Sequence, residues 1–139
     1  MRRFGKLILS LVILMLLIGS CKKDDDPGVA VRNDYLGLWQ CDEYDVNQFL
    51  LGTFQIEIIA HPTAADKVLM DNFARFGLGF QTEAILDNTA IVIPAQLVSA
   101  TTISGSGFIT NNLLGLELQY VLDDGSGQPE NITATCNKL

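Results

Sequence analysis

Few side chains in this 139-residue chain are equipped for chemistry: three cysteines, one histidine and sixteen carboxylates. His61 is the lone imidazole and precedes Pro62. A catalytic base needs a nucleophile within reach and a partner that orients its ring. The surrounding sequence offers neither, so His61 reads as a loop residue. Ser104-Gly105-Ser106-Gly107 departs from the G-x-S-x-G nucleophile elbow, with serine where the first glycine belongs. Its glycines instead mark a bend or a close backbone approach within a strand. Gly77-Leu78-Gly79 lacks the third glycine and the following helix of a dinucleotide-binding turn. Asp123-Asp124-Gly125-Ser126-Gly127 with Glu130 presents oxygens outside the register of an EF-hand and reads as a hairpin loop. Carboxylate pairs of the glycosidase kind depend on a geometry that only folding creates. No catalytic residue, cofactor or metal ligand is assigned, and the chain reads as a non-enzyme.

The cysteines say more. Arg2, Arg3 and Lys6 precede a twelve-residue apolar run, Leu7 to Ile18, broken only by Ser10. These are the n- and h-regions of a signal peptide, and the run is shorter than the roughly 18 residues of a membrane-spanning helix. Ile18-Gly19-Ser20-Cys21 resembles the bacterial lipobox: an aliphatic residue, two small residues and cysteine. Gly19 stands where alanine or serine is more usual. The resemblance implies that residues 1–20 are removed and that Cys21 becomes the lipidated N-terminus, a diacylglyceryl thioether carrying palmitate-type chains. Several acyl chains on one residue exceed what stable anchoring requires. A membrane is then a partner through Cys21, with the body of the protein in water.

Residues 21–33 form a flexible linker in this reading, beginning Lys22-Lys23-Asp24-Asp25-Asp26-Pro27-Gly28. The acidic stretch also looks like the export signal that follows the lipid cysteine in Bacteroidota surface lipoproteins. That likeness implies the outer membrane and leaves open whether the periplasmic face or the cell surface displays the protein. Loss of the signal peptide leaves six Lys/Arg against sixteen Asp/Glu, a net charge of −10. Such a surface repels phosphate backbones and excludes nucleic acid as a partner.

Residues 34–139 read as one all-β domain. Short runs rich in β-branched and aromatic residues recur between turn residues at even spacing, as in a sandwich or barrel. Strands are expected near Leu36–Val46, Thr53–Ala60, Lys67–Phe73, Glu83–Leu86, Ala90–Pro94, Thr101–Thr110, Leu113–Leu122 and Ile132–Lys138. Leu114, Leu116, Leu118, Tyr120 and Leu122 share one face, opposite Gly115, Glu117, Gln119 and Val121. This alternation indicates an antiparallel sheet wet on one side. Over Lys67–Phe76 a helix competes with a strand, because Thr63-Ala64-Ala65-Asp66 resembles a capping box and Ala65, Leu69, Phe73, Phe76 and Phe80 recur near helical spacing.

With Cys21 lipidated, Cys41 in the first strand and Cys136 in the last remain. Export places them in an oxidising compartment, where an even pair bridges more often than it stays free. A bridge needs Cα atoms within about 7 Å, so a first-to-last-strand disulfide favours a sheet closed into a barrel over an open one. Two cysteines and one distant histidine cannot complete a zinc site.

Gly37-Leu38-Trp39 at the start of the first strand resembles the G-x-W element of lipocalins. The chain is similar overall to short lipocalin-like lipoproteins of Bacteroidota, through Val68–Phe73, Ile93–Gln96, Ile103–Gly107 and Leu118–Tyr120. The resemblance implies an eight-stranded antiparallel meander barrel and no particular activity. The T-D-Y and late arginine elements of lipocalins are missing. An eight-stranded barrel is of the size that either fills with side chains or holds one small ligand. If a cavity exists, Trp39, Phe54, Ile56, Phe73, Phe76, Phe80, Leu116, Leu118 and Tyr120 are the expected lining of a site for a small apolar or amphipathic molecule. Parity turns Gly105 and Gly107 inward, which favours a cavity, and Gly115 outward. A solid barrel would instead dock a protein or glycan on its outside.

Overall fold

The computed structural model describes residues 30–139; the signal peptide, Cys21 and the linker through residue 29 lie outside the described residues. A single helical turn, α1 (Arg32–Tyr35), leads into eight strands: β1 (Gly37–Tyr44), β2 (Leu50–Ala60), β3 (Lys67–Asp71), β4 (Gln81–Asp87), β5 (Ala90–Val98), β6 (Thr101–Ile109), β7 (Gly115–Asp123) and β8 (Glu130–Lys138). Each pairs antiparallel with its neighbours in sequence, and β8 returns to β1 to close the barrel. Alternation drives the arrangement: Trp39, Cys41, Ile56, Ile58, Leu116, Leu118, Ile132 and Cys136 all point inward and are buried. Among the described residues no helix is long and apolar enough to cross a membrane.

Lys67–Asp71 is a strand, and the competing helix shrinks to one 3-10 turn, Phe73–Arg75. Val68 and Met70 face the core while Leu69 does not, which is the two-residue period of a strand. β5 runs past its expected end at Pro94 to Val98. Its register with β6 shifts between Ile93 and Gln96, so Pro94 sits in the bulge, where its missing N–H breaks no ladder hydrogen bond.

The seam between β1 and β8 aligns six residue pairs, from Trp39 with Lys138 to Tyr44 with Thr133. Cys41 and Cys136 face each other directly within it, bridged, with Cα atoms 4.0 Å apart.

An up-and-down meander puts alternate turns at opposite ends. α1 closes the end that holds the β2–β3 and β4–β5 turns. Tyr35 donates its hydroxyl to the Asn88 carbonyl at 2.9 Å, and Arg32 reaches the Ala64 carbonyl. Trp39 Nε1 donates to the Tyr35 carbonyl at 2.8 Å, and Lys138 Nζ lies 5.2 Å from the indole centroid. Gly37 makes the corner from α1 into β1 at φ +120°, a conformation side chains oppose. The G-x-W segment thus acts as a base plug, both its glycine and its indole having structural work.

Candidate functional site

The residues expected to line a ligand cavity are packed against one another instead. Trp39, Phe73 and Leu116 have no exposed surface, and Ile56, Leu118 and Tyr120 have 1–2%. A void able to admit a water-sized sphere would register as accessible surface on its walls, so these side chains border none of any extent. Phe54 and Phe76 are half-buried against the same core, and Phe80 is exposed at the rim. Gly105 and Gly107 do point inward, opposite Tyr120 and Leu118. The space they vacate is already occupied: a Cβ at Gly105 would come within 2.6 Å of Tyr120 Cβ, and one at Gly107 within 2.6 Å of Leu118 Cδ2. The glycines admit large cross-strand neighbours, not a ligand. Gly115 faces outward, against Thr110.

At the end of the barrel away from α1, the segment between β3 and β4 forms a second plug. Phe73 inserts into the barrel, its ring centroid 4.8 Å from that of Tyr120. Asn72, Ala74 and Arg75 all adopt left-handed backbone, with φ between 52° and 59°. For alanine and arginine this costs on the order of 1–3 kcal/mol each, so surrounding contacts must hold it. Asn72 Nδ2 donates to the Gln55 carbonyl at 2.7 Å, Gly77 N donates to Asn72 Oδ1, and Gly79 N donates to Asp71 Oδ1. Arg75 adds an ion pair, with Nε 2.7 Å from Glu43 Oε2.

Glu43 is fully buried. Its Oε1 accepts a hydrogen bond from the Tyr120 hydroxyl, while the Arg75 N–H is not aimed at Oε2 and holds it by charge. The cluster joins β1, β7 and the plug. Glu43, Tyr120 and Arg75 thus read as a latch that keeps Phe73 seated. Sequence reasoning passed over Glu43, although the signal was present. In β1 it shares the inward parity of Trp39 and Cys41, and a carboxylate on a core face demands a partner. Thr82 Oγ1 is also buried, without a hydrogen-bond partner among the described residues.

The buried phenols predict an alkaline limit. Burial, reinforced by the Glu43 carboxylate and its hydrogen bond, pushes the Tyr120 hydroxyl far above the usual phenol range; Arg75 pulls weakly the other way. Burial and then the Asp34 charge raise Tyr35 to about 12. The unfolded chain releases these protons near pH 10. Their contribution to stability is therefore fully present below about pH 10 and is lost as pH rises from there through 12. Thermal melts across this range should show the midpoint declining above about pH 10, with the Tyr120 phenolate appearing only on unfolding and the Tyr35 phenolate not before about pH 12 in the fold. Their ionisation near pH 10 in an intact fold would contradict the packing described.

His61 has more partners than its sequence neighbourhood suggested. Nε2 lies 3.3 Å from Glu83 Oε2, and Thr63 Oγ1 lies 3.4 Å from Nδ1. The trio has the outline of a hydroxyl–imidazole–carboxylate relay. However, Nδ1 already accepts the backbone N–H groups of Thr63 and Ala64, at 3.3 and 3.1 Å. Its in-plane lone pair is spoken for and cannot take a hydroxyl proton. Glu83 pairs more closely with Lys67 Nζ, at 2.8 Å, and that hydrogen bond holds its carboxyl below the usual range. This is a loop cap with an ion pair beside it. In the β7–β8 loop, Asp123 and Asp124 spend carboxylate oxygens on the N–H groups of Gly125 and Ser126. Among the described residues no three His, Cys, Asp or Glu side chains group to hold a metal ion.

Concave space lies outside the barrel. An open groove of about 1050 Å³ crosses the outer side of β6, β7 and β8, with Tyr44, Gln48 and Phe108 among its lining. A smaller depression of about 330 Å³ continues it along Ser104, Gln119, Asn131 and Thr133. Large apolar side chains also stand exposed at the end of the barrel opposite α1: Val46, Phe49, Leu50, Leu51, Leu78 and Leu97. No protein-family model and no curated protein sequence matches this chain.

Proposed function

We propose that the protein is a noncatalytic interaction module, a solid β-barrel held in the cell envelope by lipid on Cys21 and contacting partners through its outer surface. The carrying observation is the filled interior: both ends are plugged, by Tyr35 and Trp39 at one and Phe73 at the other, and the buried core side chains between them are almost wholly without accessible surface. A carrier of an apolar small molecule needs a lined cavity of a few hundred Å³, and the described core has no room for one. The exposed apolar side chains at the end opposite α1 add outer surface on which a partner can dock. The resemblance to lipocalin-like lipoproteins bears on the barrel and on the envelope location, not on cargo.

Native mass spectrometry of the purified full-length protein in detergent tests this. The expected masses are those of the processed lipidated chain alone, and a Cys21→Ala variant should leave the membrane fraction while keeping its fold. A stoichiometric apolar molecule released only on unfolding would overturn the solid-barrel reading. Membrane-bound Cys21→Ala protein would remove the anchor.

A further inference from the structure

We infer that the groove over β6, β7, β8 and the end of β1 is a binding site for a neutral glycan chain. The inference rests on the outer surface being the working one, and names its ligand class. Strand register arranges the groove in rows. Ser106, Gln119, Thr133 and Tyr44 lie side by side on four successive strands, and Phe108, Glu117 and Thr135 form the row beside them. Strands stand about 4.8 Å apart, so the first row extends about 14 Å along the sheet, the scale of a short oligosaccharide and not of one sugar.

The chemistry of the lining suits such a chain. Gln48, Ser104, Ser106, Gln119, Asn131 and Thr133 make no side-chain hydrogen bond to another described residue, so their hydroxyl and amide groups are open to a ligand. Amides and hydroxyls both donate and accept, as sugar hydroxyls require. Tyr44 and Phe108 stand at opposite ends of the two rows, Phe108 exposed and Tyr44 half-buried. A pyranose ring presents a face of C–H groups that packs on such aromatic surfaces.

Charge narrows the class further. No Lys or Arg lines the groove or the depression that continues it, and their two carboxylates are engaged already: Glu117 accepts from Thr135 Oγ1 at 3.0 Å, and Asp45 Oδ1 accepts the Asn47 and Phe49 N–H groups at 2.8 Å. An acidic polysaccharide would find no counter-charge there. A protein partner is disfavoured by composition: interface centres are apolar and aromatic with serine depleted, whereas here serine, threonine and glutamine hold the centre and the rings stand at the margins.

Affinity gel electrophoresis of the full-length chain tests the inference, with a soluble α-glucan, β-glucan, mannan or xylan cast in the gel and alginate as the acidic control. At least one neutral polymer should retard the protein and alginate should not. Phe108→Ala and Gln119→Ala should each weaken that retardation about tenfold, while Leu97→Ala, outside the groove, leaves it unchanged. All three positions are exposed, so the fold should survive each substitution, which circular dichroism checks. Migration unaffected by every neutral polymer overturns the glycan site, even where the groove captures a protein. So does retardation indifferent to Phe108 and Gln119. Either failure leaves the mass-spectrometric test of the filled barrel standing.

Discussion

A Cys41→Ala/Cys136→Ala variant is expected to melt roughly 15 °C below the bridged protein. The bridge spans 95 residues of sequence and joins the first strand to the last. Closing a loop of that length removes about 4–5 kcal/mol of conformational freedom from the unfolded chain by the loop-entropy relation. At several degrees per kcal/mol for a domain of this size, the melting temperature moves by the amount stated. The unfolded state is not the only one affected. Both cysteines are fully buried at the seam where β8 closes on β1, so the variant also loses packed sulfur at the place that makes the sheet a barrel. Scanning calorimetry of the two proteins, with thiol counting under denaturing conditions, measures the effect. Equal melting temperatures would mean that the seam holds by its ladder and core alone.

Glu43→Ala is expected to cost about 2–4 kcal/mol, combining a buried phenol left without its acceptor with the lost packing of a fully buried side chain. Tyr120 would lose its acceptor in a fully dry site, and the Arg75 guanidinium would lose its tie to the barrel. Glu43→Gln keeps an acceptor for the Tyr120 hydroxyl and should cost less, about 1–2 kcal/mol. Arg75→Ala leaves the buried Glu43 carboxylate without its counter-charge, at a cost in urea denaturation that water moderates because the arginine side chain is 46% exposed. The loss should also be local before it is global. Asn72, Ala74 and Arg75 are held in left-handed backbone by this latch and its neighbours, so hydrogen exchange in the plug should accelerate more than in β7 or β8. A Glu43→Ala variant within about 0.5 kcal/mol of the parent, with unchanged exchange in the plug, would show that Phe73 packing alone seats the segment.

These two expectations differ in how far the sequence foretold them. The disulfide was legible, because two inward-parity cysteines in the first and last of eight strands have one economical arrangement: a closed sheet. The base plug was half legible, since Gly37 and Trp39 stood out while the partners Tyr35, Asn88 and Lys138 did not. The latch was not read at all. Glu43 meets Tyr120 across 77 residues, and nothing in either local pattern names the other. The same is true of the outer groove. Ser106, Gln119, Thr133 and Tyr44 look like ordinary solvent-facing positions until the register of four strands sets them in one row.

Sequence alone determined the strand count, the antiparallel alternation and the inward face of each clear strand, because a two-residue period of apolar side chains is a local property of a half-buried strand. It also determined the basic, apolar and lipobox-like order of the first twenty-one residues, on which the anchoring proposal rests. Only the tertiary structure decided whether the barrel was hollow. Gly105 and Gly107 pointed inward either way; whether their missing side chains left a cavity depended on how closely Tyr120 and Leu118 approached from β7, and on Phe73 folding back over the rim. Those distances arise from strand register and twist, which are set jointly by all eight strands and written in no one of them.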